Sequence, residues 1–436
     1  LMDWNFKDLE EWDNKICDLA KEKGLDWFPI TYEICDYLSM IGHMSYHGMP
    51  THYDHWSFGK AFERTHTMYN MGMEGLPYEL IINSNPSIAY LMRENPMYLQ
   101  VLIMAHCVGH SDFFKNNRMF ANTRPDSVVA RFRSAKKRIK SYIEDPTIGI
   151  EEVEEVLDAA HALQFQTNRY GHTRKTHDEL FNKYKDLVKK DEDGIYHDLD
   201  INKVPLEPDY DILGFISEHS PNLPDWKQDI IDIIRDSASY FRPQIQTKIM
   251  NEGWASYWHY TMCHELNLPA EWHLPFIKTH NQVIRPHIGG LNPYHVGFTI
   301  FQDIFEKHGA EEAFIAREAA HDVSFLRQYL TEELCETLGL FSFSEKKKEG
   351  FTIDEISDDD GWKKVKNSLL TNVGTNSMPV IYVEEIECDG TLILRHEHDG
   401  RDLDLEYAER VIEHTKILWG SFAKLFTELE DEIWEI

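Results

Sequence analysis

The six cysteines (Cys17, Cys35, Cys107, Cys263, Cys335 and Cys388) include no Cys-x-x-C pair. That excludes a zinc knuckle and offers no disulfide framework, a pattern suited to a reducing compartment. No uninterrupted apolar run reaches the length of about 18 residues that a membrane-spanning helix needs. The opening Leu-Met-Asp-Trp-Asn-Phe has neither a basic n-region nor an apolar h-region. Basic residues are outnumbered 44 to 75 by acidic ones, for a formal charge of −31. Phosphates are held by clustered Lys and Arg, so this balance argues against nucleic acid or an anionic membrane as a partner. The one local crowd, Arg131, Arg133, Lys136, Lys137, Arg138 and Lys140, reads as a solvated helix face. Together these absences predict a soluble cytoplasmic protein.

What is present is enough apolar material, 42% of 436 residues, for a sizeable core and more than one domain. Apolar residues at three-and-four spacing predict a helix over 5–23, stopped by Gly24, and a second after Pro29 carrying Glu33 and Asp36. Tyr78 to Ile82 reads as extended, and the stretch through Ile88 and Leu91 as helical. Helices are expected from Pro96, over 125–144 and 150–165, and over 225–241, with Pro243 starting the next element. The polar stretch 174–208 reads as a surface loop. Helical patterning persists over 310–340, and the charged stretch 344–360 looks like a linker. Beyond it, Pro379 to Ile386 and Thr391 to His398 flank Cys388-Asp389-Gly390 as a β-hairpin, between helices over 361–370 and 403–419. The fold class expected is mainly α: a large helical domain over 1–345, a linker over 346–360 and a small α+β module over 361–436.

The chemistry centres on Met97 to Phe114, an almost wholly apolar stretch that contains His106 and His110. Residues four apart share one helical face, so both imidazoles can converge on one ion. Two imidazoles in an apolar helix need partners, which a divalent metal supplies at once, or neighbours supply as hydrogen bonds. A carboxylate in similarly greasy surroundings is Glu252, within Met250-Asn251-Glu252-Gly253-Trp254-Ala255, and it needs a cation there. His259, two turns further, is either a further ligand, a partner to a ligand or a packing residue. The histidine-dense loop with His43, His47, His52 and His55 reads by default as stacking and hydrogen bonding.

The Glu-Gly-Trp-Ala sequence combined with His-x-x-Gly-His resembles the ligand motifs of gluzincin-type zinc hydrolases, which implies a zincin-like domain with His106, His110 and Glu252 as metal ligands. In the peptidase form of this helix the residue after the first histidine is the glutamate that takes a proton from water. Here it is Cys107, and a buried thiol is a poor base. Glu33, Glu79 and Asp112 are the alternative base candidates. Zinc is the metal expected, while two histidines and a carboxylate also suit iron or manganese.

Over nearly its whole length the chain resembles the stage V sporulation protein R (SpoVR) family. The resemblance rests on His55-Trp56-Ser57-Phe58-Gly59-Lys60, Tyr78-Glu79, Asn83-Ser84-Asn85-Pro86, His106 to Asn117, Pro243 to Ala255, Asn292-Pro293-Tyr294 and Asp322-Val-Ser324-Phe325. In the final module it includes His396, Gly400 and Trp419-Gly420. It implies a cytoplasmic factor in assembly of the spore cortex peptidoglycan. It also implies protein partners, since family genes lie beside those of a serine protein kinase and a von Willebrand A-like protein. Arg235-Asp236-Ser237 departs from the acids the resemblance leads one to expect, His295 falls at a position expected to vary, and no Arg-Pro follows Gly420. Three readings stay open: a metal-dependent hydrolase, a regulatory or scaffold protein with a structural metal, and a non-haem iron enzyme.

Overall fold

The computed structural model describes residues 4–71, 79–169, 175–190, 203–287, 290–340, 342–346, 350–354, 361–430 and 432–436. The protein is mainly helical with a small C-terminal sheet. Two compact units are assembled discontinuously, Leu1–Ser134 with Arg242–Ser377 and Ala135–Phe241 with Met378–Ile436. This grouping does not follow the sequential division expected. The Gly361–Asn372 helix packs on Asp322–Tyr329 in the first unit. The stretch expected as a linker over 346–360 contains a strand, Gly350–Asp354, paired with Ser342–Lys346 just before it, and its 347–349 and 355–360 lie outside the described residues.

The first unit is built on the helix Met97–Asn116, buried at every position from Leu99 to Phe114. Apolar residues fill most of its positions, so burial rather than intrinsic propensity holds it helical, and Pro96 precedes its first turn, where a missing N–H costs nothing. Asn117 leaves the helix in an extended conformation, and its side-chain amide donates to the carbonyls of Arg317 and Ala320. Against this helix lie Phe6–Glu22, Lys248–Glu265 and Ala270–Val283, and Pro293–Lys307 covers the far side of Lys248–Glu265. Two close approaches set that stack. A Cβ on Gly109 would come within 2.8 Å of Ala255 Cα, and one on Gly253 within 2.3 Å of the Gly297 carbonyl carbon. Only residues without a β-carbon allow backbones this near.

A three-stranded sheet borders the stack, in the order Ile30–Cys35, Ser87–Met92, Leu80–Ile82. The first pair is parallel, with Ile30 opposite Ser87 and Cys35 opposite Met92, and the second is antiparallel. Two expected helices are corrected here. The segment after Pro29 is a strand through Cys35, followed by a short helix Tyr37–Ser45, and Ile88 and Leu91 lie in a strand. Ile30, Thr31 and Ile34 are β-branched and find ladder partners, so tertiary pairing outweighs the helical spacing.

In the second unit the hairpin forms as expected from Ile381–Ile386 and Leu392–His396. The chain then crosses through the helix Leu405–Trp419 to a parallel strand, Ala423–Leu429, with Glu432–Glu435 antiparallel at the edge. Gly420 ends the crossover helix in the left-handed region (φ 75°), and the indole of buried Trp419 donates to the Gly390 carbonyl at 2.9 Å. The polar stretch expected as a loop contains a helix, His177–Lys190, which buries Leu180 and brings Tyr184 to within 2.6 Å of Glu207. Pro243 does not start a new element as expected but lies inside the helix Asp225–Gln246.

Candidate metal centre

His106 and His110 project from one face of the Met97–Asn116 helix, and Glu252 faces them from Lys248–Glu265. Glu79 joins them from the residue before the strand Leu80–Ile82. One donor atom from each of the four lies within 4.8 Å of the others. His110 Nε2 is 3.3 Å and His106 Nε2 3.8 Å from Glu252 Oε2, and His106 Nε2 is 3.5 Å from Glu79 Oε1. The three sequence-predicted ligands therefore converge. Among the base candidates, only Glu79 belongs to the cluster. Glu33 is exposed on the Ile30–Cys35 strand, and Asp112 points elsewhere.

The neighbours of Glu252 in the Met250 to Ala255 motif support the site in different ways. Asn251 holds His110 through an Oδ1 to Nδ1 contact of 2.8 Å, which leaves Nε2 for the cluster. Gly253 and Ala255 permit the close helix approaches described above. The Trp254 indole donates to Asp112 Oδ2, which also receives Arg317 Nη1 at 2.9 Å. The backbone N–H of Asp26 donates to Asp112 Oδ1. Burial nevertheless pushes the Asp112 carboxyl up to about 6. Asp112 is thus a structural anchor for three elements, and its oxygens are occupied.

The start of the Lys248–Glu265 helix is fixed by Asp322, whose two oxygens accept from the backbone N–H groups of Ile249 and Met250 at 2.9 Å each. These are amides that a helix cannot satisfy internally. Lys248 Nζ lies 2.5 Å from Glu252 Oε1, with its side chain 57% exposed, so the cluster meets solvent on this side. Tyr294, in the first turn of Pro293–Lys307, stacks over the His106 ring at 6.2 Å, and Lys248 Nζ is 5.9 Å from the Tyr294 ring. Asn292 fixes that turn by donating to the carbonyls of Val283 and Arg285 and accepting from the Tyr294 N–H.

Burial alone would raise the Glu252 carboxyl, but the Lys248 ammonium and the His110 and His106 imidazoles outweigh it and hold it well below the usual range. Burial would likewise lower His110, and the Glu252 charge overcomes it in the opposite sense. Burial raises the Tyr294 phenol well above its ordinary value, with the nearby Glu252 and Glu79 charges adding to it. Cys107 is fully buried and its thiol is driven far up by that burial, so it serves no proton transfer at neutral pH.

Two atoms test whether the donor set suits a metal. Nε2 of His106 and Oε2 of Glu252 are buried without a hydrogen-bond partner, and both face the cluster. Unpaired buried polar atoms are costly, and here they face each other across a gap too long for a hydrogen bond. Two imidazoles and two carboxylates are the donors that zinc, iron(II) and manganese(II) accept. The residues fit a divalent cation.

The other residues singled out in the sequence lie elsewhere. His259 contacts His106 from behind and does not face the cluster. His43 stacks on Tyr90 at 3.9 Å and His52 packs among Tyr53, Phe58 and Phe132, the aromatic role expected for that loop. Arg235 pairs with Asp211 at 2.6 Å. His295 is outside the cluster, with its imidazole lowered by burial. Lys248, Tyr294 and His280 went unassigned in the sequence. A Lys four residues before Glu252 signals the first, whereas no local pattern signals the other two.

Residues 3–378 match the family model described as SpoVR like protein, and residues 379–427 match the one described as SpoVR-like C-terminal domain. A relative from Escherichia coli (strain K12), described as "Uncharacterized protein YcgB", is 32% identical over 481 aligned residues that cover 98% of this chain and 93% of that protein. No solved structure matches.

Proposed function

We propose a metal-dependent function for this chain, which belongs to the SpoVR family: a hydrolase that holds a divalent cation, zinc first, through His106, His110 and Glu252. The observation that carries the reading is the pair of buried, unpartnered donors, His106 Nε2 and Glu252 Oε2, aimed into one four-donor cluster. A pair of packed helices offering His-x-x-x-His from one and a glutamate from the other is the arrangement implied by the gluzincin resemblance, and it supports a zincin-like description of the domain. The cell-wall setting, assembly of spore cortex peptidoglycan, is carried over from the role that the family resemblance implies.

A bound divalent cation supplies Lewis acidity and makes an adjacent water acidic enough to lose a proton near neutral pH. Glu79 would be the residue to take that proton, since it borders the cluster from the position just before the Leu80–Ile82 strand and Cys107 cannot serve. Lys248 neutralises one oxygen of Glu252 and leaves the other for the cation. Tyr294 walls the cluster beside Lys248 and holds a neutral hydroxyl near both carboxylates.

A second reading is a structural metal in a regulatory or scaffold protein. It is favoured by Glu79 itself, because a fourth protein donor would close the coordination sphere. Elemental analysis of the purified chain beside H106A and E252A tests the shared premise. One equivalent of zinc, iron or manganese is expected in the parent and a loss of most of it in both variants. Equal metal content in all three would overturn the site.

A further inference from the structure

His106 is the first of three buried imidazoles in a row. Its Nδ1 lies 2.8 Å from His259 Nδ1, and His259 Nε2 lies 2.8 Å from His280 Nδ1. His259 is fully buried and His280 is 2% exposed, with Tyr260 and Phe298 around its ring. A nitrogen pair at this separation holds one hydrogen. With none, two lone pairs would oppose each other, and with two, the N–H groups would clash. Burial, helped by the neighbouring imidazoles, keeps His259 well below its usual range and takes His280 down to about 4.

With all three rings in the neutral form there are three hydrogens to place, and with one in each 2.8 Å contact only two arrangements exist. In the first, the hydrogens sit on His106 Nδ1, His259 Nε2 and His280 Nε2. Every ring then donates away from the cluster, and His106 Nε2 presents a lone pair to it. In the second, they sit on His280 Nδ1, His259 Nδ1 and His106 Nε2. Every ring then donates towards the cluster, and the His106 Nε2–H faces Glu79 and Glu252 at 3.5 and 3.8 Å. A mixed order would leave one contact with no hydrogen or with two.

We propose that His106, His259 and His280 form a two-state tautomer relay, in which His259 and His280 are positioning residues that lock His106 into its ligand form when a cation binds. The relay rests on the metal reading given above. Its balance is closed. When the cation displaces the proton at His106 Nε2, one hydrogen passes from His259 to His106 Nδ1 and another from His280 to His259 Nε2. A proton from water then replaces it at His280 Nε2. The triad therefore neither gains nor loses a proton on loading. Partners that orient a ligating histidine in this way are usually carboxylates or carbonyls, and their loss typically weakens metal binding about 10- to 100-fold.

The test uses the full chain labelled with 15N-histidine, with long-range proton–nitrogen correlation spectra recorded metal-free and after titration with zinc chloride. The expected result is a His259 hydrogen on Nδ1 in the metal-free protein and on Nε2 in the loaded one. In H280F the His259 preference should weaken, and zinc affinity by chelator competition should drop about tenfold or more. Zinc bound at His106 with an unchanged His259 tautomer would overturn the relay and leave the site standing. No zinc-induced change at His106 would overturn the site, and the relay with it. The parent spectra decide the question even if H280F folds poorly.

Discussion

Gly253 and Gly297 face each other so closely that a Cβ on Gly297 would lie 2.1 Å from the Ile249 carbonyl oxygen and 2.7 Å from Gly253 Cα. The helix that carries Glu252 is thereby clamped between Pro293–Lys307 on one side and the histidine helix on the other. That backbone contact fixes the helix from which the carboxylate projects. Replacing Gly297 by Ala must push the two backbones apart. The expected cost is about 1–3 kcal/mol in denaturant unfolding, together with weaker zinc binding, because Glu252 moves away from the imidazoles. Unchanged stability and affinity would show that the approach is not tight in solution.

Asp112 is expected to matter for folding and not for metal. In D112A the buried Arg317 guanidinium loses its carboxylate and the Trp254 indole its acceptor, at a cost of about 3–5 kcal/mol. Metal bound per folded molecule should stay at the parental value. A folded D112A protein that has lost its metal would instead return Asp112 to the list of site residues.

Glu79 separates the two readings of the cluster. If it acts on water, E79Q keeps cobalt(II) when that ion is loaded in place of the native metal, and azide alters the visible spectrum of the parent protein by entering an open position. A parental spectrum indifferent to azide, with cobalt lost from E79Q, would mark a closed structural site.

His280 carries a pH signature. Its folded value is depressed to about 4 by burial first, and then by His264 and His106, against an ordinary value of 6.5. The unfolded chain takes up a proton that the folded ring refuses, so this stability is fully present above about pH 6.5 and is lost as pH falls towards 4. The full effect is about 3 kcal/mol. His259 is depressed in the same direction and adds to it. Metal-free H280F should show a shallower fall in stability over this window than the metal-free parent, measured by urea unfolding at several pH values. Parallel curves would mean that the ring titrates normally.

The amino-acid order revealed the histidine pair, the opposing glutamate and the C-terminal hairpin because each is announced locally. The pair depends on four-residue spacing, the glutamate on a charged residue within an aromatic run, and the hairpin on a Cys-Asp-Gly turn between β-rich segments. What stayed hidden depends on partners far along the chain. Ile30–Cys35 becomes a strand because Ser87–Met92 lies beside it, and Glu79 becomes a cluster member only through the placement of that sheet. His280 gains its role from His259, with which it shares no motif. The second unit joins Ala135–Phe241 to Met378–Ile436, and a reading that moves from one end to the other divides the chain where composition changes, not where contacts close.

That discontinuity has a consequence for biogenesis. Glu79, His106 and His110 are synthesised before Ala135–Phe241, and Glu252 after it. A ribosome that stalls within this intervening stretch releases two imidazoles and one carboxylate with no opposing wall. Cation loading would thus distinguish chains translated past Glu252 from fragments that are not, and the metal would act as a late seal on a unit whose halves emerge at different times.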